Sequence, residues 1–146
     1  MNYEIRRIEN ILKQKNYKIT NGRKEIIKLF VKNRNNHYKP EKIYDLVKSY
    51  NISFPTVYRT IEILKKSGII KETIIDRDRY YELQMFSKKS LHLHLKCMEC
   101  GMVSDYIDTK SILYLLDQKD KIEKQHEMVL NNIYTTFYGI CRDCRR

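Results

Sequence analysis

Helical spacing of hydrophobic residues runs through the first half of the chain. Apolar residues recur three or four positions apart in four segments, which predicts four amphipathic helices. These segments are Ile5–Leu12, Ile26–Val31, Ile43–Val47 and Val57–Leu64. Thr20 is the predicted N-cap of the second helix, Pro40 suits the first position of the third, and Gly68 is predicted to end the fourth.

A change of pattern follows the fourth helix. β-Branched and aromatic residues from Ile69 to Leu83, around the polar stretch Asp76-Arg77-Asp78, predict two strands and a turn. Helices followed by a hairpin are typical of a winged helix, in which the fourth helix would enter the DNA major groove. Thr56, Tyr58 and Arg59 are predicted on the outer side of that helix, where the alternative is an ordinary solvated face.

The second half predicts a small mixed unit of strands and one helix. Leu91–Leu95 alternates between leucine and histidine, as a half-buried strand does, and Met102–Ile107 and Met128–Ile140 are also strand-like. Thr109–Lys124 predicts a helix. Its buried side is predicted to be Ile112, Leu115, Leu116 and Ile122. The chain is therefore predicted to be α+β, with a winged helix-turn-helix domain at 1–84 and a small α/β domain at 85–146.

Charge narrows the class of partner. The 146 residues include 29 Lys and Arg against 18 Asp and Glu, a net charge of +11. Residues 1–84 hold 19 of these basic and 10 of the acidic residues, so the excess lies in the predicted DNA-binding part. Such an excess predicts a polyanionic partner, either nucleic acid or an anionic membrane surface. The apolar runs are short and the N-terminus is charged, so we expect a cytoplasmic protein without a membrane-spanning helix.

Four cysteines form two Cys-x-x-Cys pairs. Cys97 and Cys100 make the first pair, Cys141 and Cys144 the second. Two such pairs can present four thiolates in the tetrahedral geometry that Zn²⁺ prefers, which predicts one structural zinc ion per chain. A redox dithiol is the alternative for a single pair.

Histidines supply a second candidate metal site. His92 and His94 lie on the same face of a predicted strand, where two imidazoles make good metal ligands. The alternative is a pair of exposed histidines on a polar strand face. Candidates for the remaining ligands are His37, Glu82 and Asp105. His126 lies in a charged helical stretch and is interpreted as a surface histidine.

Taken together, these motifs resemble the ferric uptake regulator family of bacterial metal-sensing repressors over nearly the whole chain. The matching segments are Lys18-Ile19-Thr20 with Arg23, Pro55-Thr56-Val57-Tyr58-Arg59-Thr60, Tyr81-Glu82-Leu83, His92–Gly101 and Tyr138–Cys144. The combination of Thr-Val-Tyr-Arg with His-x-His-x-x-Cys-x-x-Cys is highly specific for this family.

The resemblance implies a homodimer, joined through the C-terminal domain, that binds AT-rich inverted-repeat operators in double-stranded DNA when a divalent metal is bound. The implied regulatory ligands are His37, Glu82, His92 and His94, with Asp105 as a possible fifth. The implied structural zinc ligands are Cys97, Cys100, Cys141 and Cys144. Tyr58 and Arg59 would lie in the major groove, and Lys18 in the neighbouring minor groove, where A·T-rich sequence concentrates negative potential. No membrane and no small-molecule substrate is implied.

Some positions depart from the family's pattern. Many members have a further metal site. The positions that match its ligands are apolar in this chain, so we predict that the site is absent; they are Leu91, Leu93, Ile112 and Ile133. Glu82 stands where peroxide-sensing members typically carry Asp, which argues against peroxide sensing. Imidazole and carboxylate ligands suit Fe²⁺ and Mn²⁺, and also Zn²⁺. Iron-uptake regulation is therefore the first prediction and zinc-uptake regulation the second.

Two functions of other classes remain as alternatives. A metallohydrolase could use His92, His94 and a carboxylate, but it would also need an open metal position and a base near the bound water. A zinc-stabilised interaction module would explain the cysteines, but neither the Tyr58-Arg59 helix nor the basic first half.

Overall fold

Residues 2–85, 93–130 and 133–145 are described by a computed structural model. In chain order they form α1 (Asn2–Gln14), α2 (Asn21–Lys32), β1 (Asn36–His37), α3 (Pro40–Val47), a 3₁₀ helix (Lys48–Tyr50), α4 (Phe54–Lys66), β2 (Ile70–Ile75), β3 (Asp78–Leu83), β4 (Leu93–Cys97), β5 (Val103–Tyr106), α5 (Thr109–His126) and β6 (Thr136–Gly139). The predicted α+β class is confirmed. The chain divides into two compact units, Met1–Ser87 and Lys88–Arg146.

The helices of the first unit begin where their capping residues predict. The Thr20 side chain accepts a hydrogen bond from the amide of Arg23, and Pro40 occupies the first turn of α3. The Ser53 side chain caps α4 in the same way, by accepting from the amide of Thr56. Each cap satisfies an amide that has no partner within its helix.

One hydrophobic core joins the helices and the hairpin of this unit. Ile8 of α1, Phe30 of α2, Ile43 of α3 and Ile61 of α4 are each almost fully buried. Burying side chains of this size contributes about 1.5–3 kcal/mol each. The amphipathic pattern predicted these faces because every turn of helix brings the same side of the helix to the core.

β2 and β3 form an antiparallel hairpin, the wing of the winged helix. Their register pairs Ile75 with Asp78 at the turn and Lys71 with Glu82 near the other end. Asp76 and Arg77 make the two-residue turn with φ of 54° and 71°. Positive φ at both positions matches the type I′ turn, whose twist suits a hairpin. The turn is therefore one residue shorter than the predicted Asp76-Arg77-Asp78.

The described residues of the second unit contribute three strands of a sheet and one helix. β4 lies between β5, to which it is antiparallel, and β6, to which it is parallel. α5 begins after Asp108, whose carboxylate accepts from the amide of Ser111. The strand predicted over 128–140 is wrong in extent, because only Thr136–Gly139 pairs with β4 among the residues described there.

The predicted burial of α5 is also wrong. Ile112 and Leu115 are only half-buried, while Leu116 and Ile122 are 42% and 41% exposed. Tyr114 is 64% exposed as well. Apolar side chains lie around most of this helix, so its periodicity does not define a single buried face. No helix in the described ranges is both long and apolar enough to cross a membrane.

Candidate metal centres and nucleic-acid interface

The four cysteines come together at one end of the second unit. Their ligand atoms all lie within 4.8 Å of one another. Sulfurs bound at about 2.3 Å around a tetrahedral Zn²⁺ lie about 3.8 Å apart, and the Sγ atoms of Cys100 and Cys141 are 3.8 Å apart. The cluster therefore has the ligand type and the size that a zinc ion requires.

Backbone hydrogen bonds build each cysteine pair into a tight turn. The amide of Gly101 donates to the carbonyl of Cys97, and the amide of Cys144 donates to the carbonyl of Cys141. Gly101 has a φ of 74°, a conformation that costs glycine little. The amide of Cys141 donates to the Cys97 Sγ at 3.3 Å, so the second turn is held against the first.

The thiols differ in how readily they ionise. Backbone amides of Cys100 and Cys141 lower the pKa of Cys97 to about 6, which favours a thiolate at neutral pH. The neighbouring Cys141 side chain raises the pKa of Cys144 well above its usual range. Four crowded sulfurs therefore do not all ionise by themselves, whereas a bound dication would stabilise all four thiolates.

A buried imidazole–carboxylate pair lies in the first unit. Tyr38 and Tyr81 exchange two backbone hydrogen bonds of 2.8 Å, so their neighbours His37 and Glu82 lie side by side. The His37 Nε2 atom is 3.0 Å from the Glu82 Oε2 atom, and both side chains are at most 1% exposed. Buried charged groups are normally paired or bound to metal, and these two donors suit a divalent cation.

Lys71 is a second neighbour of the buried carboxylate. It lies opposite Glu82 in the hairpin register, and its Nζ atom is 3.2 Å from the Glu82 Oε1 atom. Its own side chain is 42% exposed. Sequence reasoning missed this contact. A two-residue turn at Asp76-Arg77 would have placed residues 71 and 82 opposite each other, but the turn was predicted one residue longer.

The predicted ligands of the second unit meet across two strands. His94 on β4 pairs with Asp105 on β5, and the His94 Nε2 atom is 3.7 Å from the Asp105 Oδ1 atom. The His94 side chain is 8% exposed, so it is not an exposed histidine of a polar strand face. His92 lies outside the described residues. The exposed His126 lies in the last turn of α5.

The outer side of α4 presents the residues predicted to contact DNA. Tyr58 is 43% exposed, and Arg59 is exposed beside it. Thr56 is half-buried, and its hydroxyl lies 2.9 Å from the hydroxyl of Ser53, so it takes part in the helix cap. Tyr58 and Arg59 are therefore the more accessible pair on this helix.

Lys18 lies in the segment before α2, where its side chain is exposed while those of Tyr17 and Ile19 pack against the core. The Arg23 guanidinium donates a hydrogen bond to the carbonyl of Lys18, while the Arg23 amide is bound by the Thr20 cap. These two bonds hold the segment to the start of α2 and leave the Lys18 side chain in solvent. The spacing of motifs in the sequence did not predict these contacts of Arg23.

Comparison with known proteins gives a consistent result. The sequence profile of the "Ferric uptake regulator family" matches residues 14–138. The ferric uptake regulation protein of Bacillus subtilis strain 168 is 33% identical over 147 aligned positions, which cover 99% of this chain and 96% of that protein.

Solved structures agree with this match. The ferric uptake regulator of Francisella tularensis with iron is 28% identical, with a TM-score of 0.63 over 89% of this chain and 96% of that one. The Helicobacter pylori ferric uptake regulator, described as having three functional metal binding sites, is 22% identical. Its TM-score is 0.68 over 99% of this chain and 93% of that one, a likeness of fold.

Proposed function

The chain belongs to the ferric uptake regulator family, and we propose that it represses iron-uptake genes when a divalent metal is bound. Fe²⁺ is the first candidate for this regulatory metal. Members of this family are transcription regulators and not enzymes, so the metallohydrolase alternative is wrong. The proposed form is a cytoplasmic homodimer that binds AT-rich inverted repeats in double-stranded DNA. Zinc-uptake regulation is the second candidate for the regulatory metal.

The observation that carries this proposal is the buried His37–Glu82 pair in the DNA-binding unit. Its atoms are 3.0 Å apart and shielded from water, and they are separate in sequence from the cysteine cluster. Imidazole and carboxylate donors without thiolate favour Fe²⁺ and Mn²⁺ while still accepting Zn²⁺. We assign His37, Glu82, His92 and His94 as the regulatory ligands, with Asp105 as a possible fifth.

The proposed switch depends on ligands drawn from both units. A bound metal would supply one positive centre that ligand atoms of both units share. His37 and Glu82 are anchored in the DNA-binding unit through the Tyr38–Tyr81 bridge, and His94 is anchored on β4 of the other unit. Ligation by both units would restrict how the two α4 helices of the proposed dimer are oriented toward DNA. By linkage, operator DNA should tighten metal binding by the same factor as metal tightens DNA binding.

The proposed DNA contacts use accessible side chains of the basic unit. Tyr58 and Arg59 would read base edges in the major groove, with Thr56 at the start of the same helix. Lys18 would enter the neighbouring minor groove. The excess of basic residues in 1–84 supports a strong, salt-dependent attraction to phosphate.

The cysteine cluster has a separate proposed role. Cys97, Cys100, Cys141 and Cys144 would hold one structural Zn²⁺ per chain, which stabilises the unit that dimerises. The match between the observed sulfur separation and tetrahedral zinc supports this assignment.

DNA binding under defined metal conditions tests the proposal. The protein, with its cysteine zinc retained, is titrated onto a labelled duplex carrying an AT-rich inverted repeat, with no added metal or with Fe²⁺, Mn²⁺ or Zn²⁺. We expect Fe²⁺, and Mn²⁺ as its redox-stable substitute, to tighten binding by about 5- to 150-fold, the usual range of coupling. Activation by Zn²⁺ alone would favour zinc-uptake regulation.

Two variants locate the regulatory site. His37→Ala should abolish the metal response, whereas His126→Ala, which removes an exposed histidine, should retain it. Full-strength binding without metal would contradict the switch. Failure to bind the duplex under every condition would favour a zinc-stabilised interaction module, and sedimentation at the mass of one chain would contradict the homodimer.

A further inference from the structure

Three aromatic rings form a continuous row from the core of the first unit to the outer side of α4. Tyr44 of α3 is partly buried and packs against the hydrophobic core. Its ring contacts that of Phe54 edge to face, with centroids 5.4 Å apart. Phe54 contacts Tyr58 in the same way, with centroids 4.9 Å apart and planes at 79°. The row therefore links the exposed Tyr58 to a side chain that the core holds in place.

Helix geometry makes the outer contact possible. Phe54 is the first residue of α4, directly after the Ser53 cap, and Tyr58 follows four residues later on the same face. The Ser53 cap fixes the start of the helix and with it the backbone of Phe54. Contact with the Tyr44 ring then restricts where the Phe54 ring can lie. Motif spacing identified Tyr58 but gave no role to Phe54 or Tyr44.

Tyr58 is 43% exposed, so its neighbours do not enclose the ring. It borders a cleft of about 380 Å³ whose other walls come from the start of α3, from Glu62 of α4 and from the hairpin. Few atoms pack against the ring on the side of this cleft, so packing there does not hold it in one rotamer. Contact with Phe54 therefore favours the observed rotamer over others.

We propose that Phe54, supported by Tyr44, is a positioning residue that holds the Tyr58 ring ready for DNA. This inference rests on the proposed function, because it takes Tyr58 as a contact to the operator. Phe54 itself acts through Tyr58. The edge-to-face contact limits the rotamers of free Tyr58, so less side-chain entropy is lost when Tyr58 binds DNA. Contacts of this type alter an equilibrium by about two- to tenfold, so a change of that size in operator affinity is expected.

A double-mutant cycle tests this coupling. Phe54→Leu, Tyr58→Ala and the double variant are titrated with Mn²⁺ present onto a labelled AT-rich inverted repeat and onto a duplex of scrambled sequence. Phe54→Tyr keeps a ring and serves as the rescue variant. Tyr3→Leu, a change at a 69% exposed tyrosine of α1, is the matched control.

Phe54→Leu should weaken binding to the inverted repeat by about two- to tenfold and leave binding to the scrambled duplex unchanged. Phe54→Tyr should restore the affinity, and Phe54→Leu should cause no further loss when Tyr58 is already Ala. Ring-proton shifts of Tyr58 should change in Phe54→Leu, because the ring of Phe54 lies 4.9 Å away.

Two results would overturn the inference in different ways. If Tyr58→Ala leaves operator affinity unchanged, Tyr58 does not contact DNA, and the DNA interface of the proposed function fails together with the inference. If Tyr58→Ala weakens binding but Phe54→Leu has no effect, or has the same effect with and without Tyr58, only the positioning role fails.

Discussion

Replacing Cys141 by serine should unfold the second unit while the first unit stays folded. Cys141 connects the two cysteine pairs: its Sγ atom is 3.8 Å from that of Cys100, and its amide donates to Cys97. Serine preserves the size of the side chain but removes the thiolate that zinc prefers. The substitution therefore tests the metal ligand with little change in packing.

The magnitude follows from how little else holds this unit together. Among its described residues, the buried apolar side chains are Leu93, Cys97 and Val103. Full burial contributes about 1.5–3 kcal/mol for a residue such as Leu or Val, whereas structural zinc contributes about 10–16 kcal/mol of apparent binding free energy. Loss of an outer-shell partner alone weakens metal binding by about 10- to 100-fold, so loss of a ligand should weaken zinc binding by more than that.

Hydrogen exchange followed by mass spectrometry reads the two units separately. In Cys141→Ser, peptides from β4, β5 and α5 should lose protection, while peptides from α2 and α4 keep it. Zinc content, measured on the same samples, should fall below one per chain. Met98→Ser is the matched control, since Met98 lies within the first cysteine pair but is 69% exposed.

Retention of one zinc per chain with unchanged protection would refute the structural role of the cluster. Loss of protection in α2 and α4 as well would show that the first unit depends on the second. Adding a strong chelator to the unsubstituted protein should reproduce the exchange pattern of Cys141→Ser, because both treatments remove the same ion.

Three smaller predictions concern single contacts. Lys71→Met should tighten Mn²⁺ binding measured by calorimetry, because the Lys71 ammonium lies 3.2 Å from Glu82 and competes with the metal for that carboxylate. A half-exposed ion pair contributes about 1 kcal/mol, so the Mn²⁺ affinity should rise about fivefold. An unchanged affinity would contradict this competition. Ser53→Ala should destabilise the first unit by about 1 kcal/mol through loss of the α4 cap, which lowers its melting temperature by about 4–8 °C. An unchanged melting temperature would show that this cap does not stabilise the unit. Hydrogen bonds from Ser111 lower the pKa of Asp108 in the folded protein. The Asp108 carboxylate therefore stabilises α5 fully above its unfolded pKa of about 3.9, and this stabilisation is lost as the pH falls through the folded pKa. Asp108→Asn should keep the cap and remove that acid response, seen as helical circular dichroism against pH.

Much of the first unit could be predicted because its signals are local. Thr20 and Pro40 mark helix starts through hydrogen bonds and torsion angles that involve only their neighbours. The buried faces of α2 and α4 follow from the period of the helix. The same reasoning failed for α5, since apolar residues around most of a helix leave the buried side to whatever packs against it.

The candidate sites divide in the same way. Cys-x-x-Cys spacing identifies two ligands per turn, and family resemblance identifies His37, Glu82 and His94, but neither shows which atoms meet. The Tyr38–Tyr81 bridge brings His37 to Glu82, and the hairpin register brings Lys71 to the same carboxylate.

The sequence alone determines which side chains can bind a metal or contact DNA, because ligand chemistry, charge and helix period belong to the residues themselves. The tertiary structure decides which side chains become neighbours, as with Lys71 and Glu82 or Tyr44 and Phe54. The reason is physical: strand register and ring packing depend on the exact length of a turn and on contacts between residues distant in sequence, and no local pattern encodes those distances.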